Sequence, residues 1–268
     1  MPPSIMDAPA LFISHGSPQI ALDPGDFGPA LHRWASETPR PRALLVVSAH
    51  FQTGNDAAVT GAEHPETVHD FGGFDPALYR LRYPAPGSPR LAARVVELVR
   101  AGGRAATVDP TRGLDHGAWI PLRFLFPEAD IPVVELSLPA EAGWEDLVQL
   151  GAELRPLRAE GVWVVGSGGL VHNFRKLAWN DPDAPVAPWA TEAESRFVER
   201  VRTRDVAGAV RLASEDPGMR LAAPTPEHLA PAFVTLGAST DRDAYEDVHV
   251  GFRHATLSMR TFAFTARS

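Results

Sequence analysis

The sequence contains no cysteine among its 268 residues. This absence excludes disulfide bonds, thiol nucleophiles and cysteine-ligated metal clusters together. Any transition metal would have to be held by imidazole and carboxylate groups, a donor set that suits iron, zinc or manganese. Because a lack of cysteine also fits a reducing compartment, we expect a cytoplasmic location.

Basic clusters and long apolar runs are missing as well. The chain has 25 Lys and Arg against 33 Asp and Glu, a net charge of −8, and no basic run. It therefore lacks the electrostatic footprint of a nucleic-acid-binding protein. Its first residues do not form a basic segment followed by an apolar one, and nowhere do about eighteen apolar residues follow one another. We expect neither nucleic acid nor a membrane as a partner, and the oligomeric state stays open.

Apolar runs alternate with amphipathic segments along the chain, and this alternation predicts an α/β fold. The 26 prolines and 22 glycines are spread through the connections instead of forming one linker. We therefore predict a single domain over residues 1–268, with a central, mostly parallel or mixed sheet flanked by helices. Strands are predicted over seven segments: Ala10–Ser14, Ala43–Ala49, Ala57–Gly61, Ala105–Val108, Pro132–Leu138, Gly161–Gly166 and Ala232–Gly237.

Three segments have the residue spacing of amphipathic helices. The first begins at Ser88, an N-cap residue that a first-turn proline follows. The second covers Trp144–Ala159, where Pro156 should kink or end the helix. The third follows Pro188. Each has an apolar stripe that suits packing on a sheet.

The segment Glu63–Gly87 is too long and too rich in turn residues for an ordinary connection. Loops of this kind tend to be binding loops or lids, so this one could form a wall of a substrate pocket. It could equally be an insertion that its own aromatic residues pack. His69 and Phe71 lie in it and are candidate substrate-binding residues.

Four histidines lie where a short apolar run ends or a Pro/Gly turn begins: His15 in FISHGSP, His50 in LVVSAHF, His172 in VVGSGGLVHNF and His228 in PTPEHLAP. His15 and His50 each follow a predicted strand, at the carboxyl end where open α/β sheets place ligands. One such histidine alone more often bonds a backbone carbonyl. Two at equivalent positions favour a pair of metal ligands, and the sequence therefore predicts a metalloenzyme.

The residues alone leave the other roles open. His172 follows a third strand in a glycine-rich turn and could be a metal ligand or the acid/base, since GSGG lacks the spacing of a phosphate loop. Either Glu227 or His228 could be the last ligand. His116 is either aimed into a site or part of a surface turn, and Asp115 beside it could orient an imidazole or bond a substrate hydroxyl.

Seven segments occur together in an order and spacing that resemble one family: HGSP at 15–18, SAHF at 48–51, HDFGGF…LYRLRYPAPG, GLDHGAWIPLRFLFP, PVVELSL, GSGGLVHNF and PTPEHLAP. The chain resembles the class III extradiol ring-cleavage dioxygenases, and more narrowly the 4,5-DOPA extradiol dioxygenase-like group, from Ala10 to Thr265. Any one of the segments is a weak signal. Their joint order and spacing are highly specific.

The resemblance implies a single α/β domain with a nonhaem metal bound by His15, His50 and His228. In that family the position of His172 supplies an acid/base, or a fourth ligand when zinc is bound, and the position of His116 faces the aromatic substrate. The resemblance also implies Fe(II) for activity, Zn(II) as another possible occupant, and a small aromatic diol and O2 as substrates.

We therefore predict a dioxygenase that inserts O2 into a catechol to give a ring-opened semialdehyde. A zinc hydrolase could use the same histidines, with His172 or Glu227 as general base, and a non-catalytic metal-binding interaction protein could keep the same fold. No arginine stands out as a clamp for a substrate carboxylate, and the candidates are Arg80, Arg82, Arg112 and Arg123. Candidate catalytic residues are His172, His116 and Asp115, and candidate substrate-binding residues are His116, Ser17, His69 and Phe71.

Overall fold

The computed structural model of the chain describes residues 7–267. Within them the strands are β1 (Ala10–Ser14), β2 (Ala43–Thr53), β3 (Ala57–Thr60), β4 (Ala106–Asp109), β5 (Val133–Pro139), β6 (Val162–Gly168), β7 (Asp243–His249), β8 (Phe252–Arg253), β9 (Leu257–Ser258) and β10 (Thr261–Ala266). Eight strands form one sheet in the order β4-β3-β5-β2-β6-β1-β10-β7. The centre of the sheet is parallel, whereas β10 runs antiparallel to β1 and β7. The predicted α/β fold with a mixed sheet is confirmed.

Helices cover both faces of this sheet. They are α1 (Phe27–Glu37), α2 (Pro89–Ala101), α3 (His116–Leu125), α4 (Trp144–Glu153), α5 (Arg155–Ala159), α6 (Pro188–Arg202), α7 (Val206–Glu215), α8 (Pro217–Ala222) and α9 (Ala230–Ala238). Successive residues of β1 point to opposite faces: Ala10 and Phe12 join one apolar core, and Leu11 and Ile13 join the other. None of the helices in the described part of the chain is long and apolar enough to cross a lipid bilayer.

The three predicted helices are confirmed, one of them in two pieces. Ser88 accepts a hydrogen bond from the backbone N–H of Leu91 and caps α2. Helix α6 begins at Pro188. The segment Trp144–Ala159 is divided into α4 and α5, because Pro156 lies in the first turn of the second piece.

The strand predicted at Ala232–Gly237 is wrong, because this segment lies within α9. All residues of α9 are buried, so its sequence has no polar face, and a continuous apolar run of this length fits a buried strand equally well. The overlooked signal is Pro231, which lies in the first turn of the helix. Helix α9 packs closely on α4: a Cβ added to Gly237 would lie 1.9 Å from the carbonyl oxygen of Val148.

Three adjacent strands at the centre of the sheet run parallel, so their carboxyl ends lie side by side: β2, β6 and β1. Strand β2 extends beyond its predicted end at Ala49 to Thr53, and its pairing with β5 shifts between Val47 and Gln52. Such an irregularity re-aims the side chains it contains. His50 lies in this shifted stretch.

Candidate metal centre and active site

Three histidines converge at the carboxyl edge of the parallel strands. His15 follows β1, His50 lies in β2, and His228 lies in the turn before α9. One ring nitrogen of each lies within 4.8 Å of those of the other two. Nε2 of His15 is 3.1 Å from Nε2 of His50. We call these three residues the histidine cluster, and its nitrogens are close enough together to bind one ion.

Hydrogen bonds determine which nitrogen of His15 faces the cluster. The hydroxyl of Ser167 donates to the carbonyl oxygen of Gly117. The Ser167 oxygen is therefore the acceptor in its 2.9 Å hydrogen bond with Nδ1 of His15. Because Nδ1 carries the proton, Nε2 presents a lone pair to the cluster. Metal-binding histidines have this arrangement, in which the outer nitrogen donates to a fixed acceptor.

His228 is oriented in the same way by a carboxylate. Its Nδ1 donates to Oε1 of Glu227 at 3.1 Å, and the same oxygen accepts a hydrogen bond from the hydroxyl of Thr225 at 2.6 Å. Nε2 of His228 therefore carries a lone pair, and this buried atom has no hydrogen-bond partner. The geometry places His228 in the cluster and Glu227 behind it. A buried acceptor is costly unless something binds it.

The electrostatics of the cluster fit a divalent cation. Burial, reinforced by the neighbouring imidazoles, lowers the pKa of His15 and of His50, the latter to about 2. Both rings are therefore neutral near pH 7, the form in which histidine binds a metal. A hydrogen bond between Nε2 of His15 and Nε2 of His50 would still leave Nε2 of His228 without a partner. A single cation would bind all three nitrogens. A set of three neutral imidazoles suits a transition metal such as zinc or iron.

His116, at the start of α3, lies against the cluster and is paired with a carboxylate. Its ring centre is 3.9 Å from that of His50. Oδ1 of Asp70 accepts hydrogen bonds from the backbone N–H and from Nδ1 of His116, both at 2.9 Å. Burial alone would raise the pKa of Asp70, but the hydrogen bonds from His116 outweigh it and lower the pKa to about 2. Asp70 is thus a carboxylate that holds the His116 ring in place.

Asp70 also belongs to a second close group of possible ligands. One donor atom from each of His50, Asp70 and His116 lies within 4.8 Å of the other two. Oδ2 of Asp70 is 3.9 Å from Nδ1 of His50. In this group the Asp70 oxygen and Nδ1 of His116 already satisfy one another. The partnerless Nε2 of His228 therefore favours the histidine cluster as the metal site.

His172 follows β6 and stacks on His228. The two ring centres are 3.5 Å apart and the ring planes differ by 12°. Burial, and then the neighbouring His228, lowers the pKa of His172 to about 3, so its ring is neutral near pH 7. His172 lies beside the histidine cluster and faces the cavity in front of it.

That cavity has a volume of about 240 Å³, and His50, His116, His172 and His228 all line it. Aromatic side chains form much of the remaining lining, and we call them the aromatic wall: Phe71, Phe74, Phe174 and Trp179. The long loop predicted as a possible pocket wall supplies the first two of them. The cavity therefore has aromatic side chains that suit contact with a planar aromatic molecule, and it lies directly beside the histidine cluster.

The other predicted site residues lie around this cavity. Ser17 lines a smaller neighbouring cavity. His69 lies behind Phe71, with its Nε2 3.1 Å from a backbone carbonyl oxygen. Asp115 is fully buried, accepts a hydrogen bond from Ser48 at 2.7 Å and caps α3. Asp115 therefore supports the turn that carries His116 and does not line the cavity.

Sequence reasoning missed five residues of the site: Asp70, Phe74, Ser167, Phe174 and Trp179. Asp70 directly follows His69 in the HDFGGF segment, and Ser167 lies inside GSGG. Sequence reasoning interpreted only His69 and Phe71 in the first segment and the glycines in the second, and it passed over the carboxylate and the hydroxyl beside them. A carboxylate or hydroxyl that orients a histidine is recognisable once the fold shows which ring nitrogen it reaches.

A Ser167→Ala variant is expected to bind metal about 10–100-fold more weakly. Without the hydroxyl, Nδ1 of His15 loses its acceptor, and the ring is no longer held with Nε2 toward the cluster. Competition with a chelator measures the affinity. Ser214→Ala removes a hydroxyl from an exposed residue and is the matched control. Equal affinities of the two variants would contradict the orienting role.

Comparisons with known proteins agree with this geometry. Residues 9–265 match the family described as the catalytic LigB subunit of aromatic ring-opening dioxygenase. The chain is 39% identical to 4,5-DOPA dioxygenase extradiol of Escherichia coli (strain K12), over 94% of this chain and 92% of that protein. It is 36% identical to 4,5-DOPA dioxygenase extradiol of Beta vulgaris, over 95% of this chain and 96% of that protein.

A solved structure supports the same relationship. The crystal structure of an uncharacterized protein from Escherichia coli K12 superposes with a TM-score of 0.78 at 33% sequence identity, and the match covers 96% of this chain and 99% of the other. The resemblance seen in the sequence motifs is thereby confirmed over nearly the whole length. The chain belongs to the LigB family of aromatic ring-opening dioxygenases.

Proposed function

We propose that this protein cleaves the ring of a catechol beside its two hydroxyls, with Fe(II) held by His15, His50 and His228. The observation that carries the proposal is the buried, partnerless Nε2 of His228, a residue that belongs to the histidine cluster and lines the aromatic-walled cavity. The family supports ring opening with O2, and the names of the relatives support the extradiol position.

Fe(II) at this site would supply the one-electron chemistry that lets the diol react with O2, which zinc, with the same ligands, lacks. The protein supplies the rest. The aromatic wall packs on the substrate ring and displaces water from it. The three histidines would hold the ion beside the cavity, where the diol and O2 could reach it together.

Ring opening requires a base when the diol binds and an acid later. We assign both tasks to His172, which is neutral, faces the cavity and stacks on His228. Since Asp70 holds the His116 ring through Nδ1, Nε2 is the ring nitrogen left to contact a substrate hydroxyl.

The test is to load metal-free protein with Fe(II) without oxygen, add a panel of catechols, and then admit air. We expect one O2 consumed for each ring opened, with the yellow absorbance of a semialdehyde. Protein loaded with Zn(II) should bind the same amount of metal and show neither signal. An absence of oxygen uptake with every catechol, at full iron occupancy, would refute the proposed function.

A further inference from the structure

A glutamate lies in the middle of β5, a strand in which every residue is buried. The neighbours of Glu135 on this strand, Val134 and Leu136, point to the opposite face of the sheet and join one apolar core. On its own face Glu135 reaches the start of α3, where its Oε1 accepts a hydrogen bond from the backbone N–H of Asp115 at 3.0 Å. A buried carboxyl group is costly unless it is hydrogen-bonded, so its partners indicate what it does.

The main partner of Glu135 is a second buried carboxyl group. Glu135 and Asp115 both have no solvent exposure. In addition to the backbone contact, a hydrogen bond links the two carboxyl side chains. Two carboxylates can only accept hydrogen bonds, and their charges repel one another. One of the two groups must therefore carry a proton.

The donors around the pair assign this proton to Glu135. Asp115 accepts three hydrogen bonds: from the hydroxyl of Ser48 at 2.7 Å, from the backbone N–H of Ala118 at 3.2 Å and from Nη2 of Arg112 at 3.3 Å. Oε2 of Glu135 receives no hydrogen bond from an N–H or O–H group of the residues that the structure describes. Burial, and then the charge of Asp115, raises the pKa of Glu135 well above its ordinary value. Burial raises the pKa of Asp115 too, but the hydrogen bond from Ser48 opposes the rise. Asp115 is therefore the carboxylate, and Glu135 is the neutral acid.

Asp115 joins the two segments that bring His50 and His116 together. It caps α3, whose first residue is His116. Its partner Ser48 lies in β2, and the Ser48 oxygen also accepts a hydrogen bond from the backbone N–H of His50 at 3.2 Å. The ring centres of His50 and His116 are 3.9 Å apart. A side chain that holds Asp115 in place therefore also determines how these two rings face one another.

We infer that Glu135 is a positioning residue for ring opening: as an uncharged acid it donates a hydrogen bond to Asp115 and so holds the first turn of α3, with His116, against the histidine cluster. This inference rests on the proposed function and deepens it, because His116 is the ring assigned to contact the substrate. Glu135 itself contacts neither the cavity nor the cluster in this role.

Two substitutions of similar size separate the hydrogen bonds from packing. Glu135→Gln keeps an acceptor and offers an N–H in place of the O–H, so kcat should stay within about threefold of the wild-type value. Glu135→Leu offers neither group. Its kcat should fall by about 10–100-fold, because a small displacement of a positioning group has an effect of this size. KM should change less, and the metal content should stay full. Equal losses of kcat in the two variants, or no loss in Glu135→Leu, would overturn the inference.

Leu136→Ala is the control for an effect of stability alone. This residue lies on the same strand but contributes to the core on the opposite face of the sheet. Removal of its side chain should lower the unfolding temperature. At temperatures where the protein stays folded, kcat should be unchanged. A loss of kcat in Leu136→Ala as large as in Glu135→Leu would mean that Glu135 has only a structural role.

A double variant tests whether Glu135 acts through Asp115. If it does, adding Glu135→Leu to Asp115→Ala should lower kcat by no more than about threefold beyond Asp115→Ala alone, because the two effects are then not additive. A further loss as large as that of Glu135→Leu by itself would show that Glu135 acts by another route.

The proton on Glu135 can be measured without any activity. Infrared spectra of metal-free protein distinguish the C=O stretch of a protonated carboxyl group from the bands of a carboxylate. Near pH 7 the wild-type protein should show a protonated carboxyl band that Glu135→Gln lacks. If Glu135→Gln loses a carboxylate band instead, this inference is wrong even where ring opening is normal. If iron-loaded wild-type protein opens no catechol, the proposed function fails, and the positioning role fails with it even where the infrared band is present.

Discussion

Replacement of His15 by alanine is expected to abolish stoichiometric metal binding and, with it, oxygen-dependent ring opening. His15 is buried, its Nε2 is 3.1 Å from Nε2 of His50, and Ser167 holds it in the tautomer that binds metal. Loss of a group that only orients a ligand typically weakens metal binding by about 10–100-fold. Loss of the ligand itself should therefore exceed that range.

Metal analysis of the purified variant after dialysis against a buffered metal solution measures the effect, with oxygen uptake as the second signal. His32→Ala is the matched control, because this histidine is exposed on α1 and does not belong to the histidine cluster. The control should keep both metal and activity. The thermal unfolding of His15→Ala should be compared with that of metal-free wild-type protein, since the bound ion itself adds stability. A His15→Ala protein with one tightly bound metal per chain would refute the ligand assignment.

The position of this histidine could be predicted from the sequence because of a simple property of parallel sheets. Ligands gather where the carboxyl ends of parallel strands meet, and β1, β2 and β6 do run parallel. The strands that carry His15 and His50 are not direct neighbours, because β6 lies between β1 and β2. Small residues at the end of β6 let the two imidazoles meet across it.

The GSGG segment has a packing role that its composition alone did not reveal. A Cβ added to Gly166 would lie 2.4 Å from the carbonyl oxygen of Pro231, and one added to Gly168 would lie 2.1 Å from that of His228. The two glycines are two residues apart and so lie on the same face of β6. Because glycine has no side chain, the turn before α9 can pack directly against β6. This close packing places His228 in the histidine cluster.

Other features could not be read from the sequence because they depend on contacts between distant segments. Strand β7 is mostly half-buried or exposed, so its residues show little apolar alternation. The long loop has no regular pattern beyond a short turn, and its bridge between Thr67 and Leu114 sets its path past α3. The path of the loop brings Asp70 next to His116, and the residues around Asp70 in the sequence do not predict this contact.

Asp70→Asn is the variant that best tests the contribution of this loop. It is expected to lower kcat by about 10–100-fold while the protein keeps its full complement of metal. The amide has nearly the same volume as the carboxylate but no charge, so its hydrogen bonds to the backbone N–H and Nδ1 of His116 become weaker. The His116 ring is then free to rotate or to change tautomer, and the diol binds in fewer productive orientations.

The measurements for Asp70→Asn are kcat, KM and metal content, with Asp75→Asn as control. Asp75 lies in the same loop, is exposed and carries the same charge. A role in positioning lowers kcat more than it raises KM, leaves metal content unchanged, and is partly restored by Asp70→Glu. A purely structural role would instead lower the unfolding temperature without a selective loss of kcat. Loss of the metal would have a different meaning: the ion would then lie among His50, Asp70 and His116, and the assignment to the histidine cluster would be wrong.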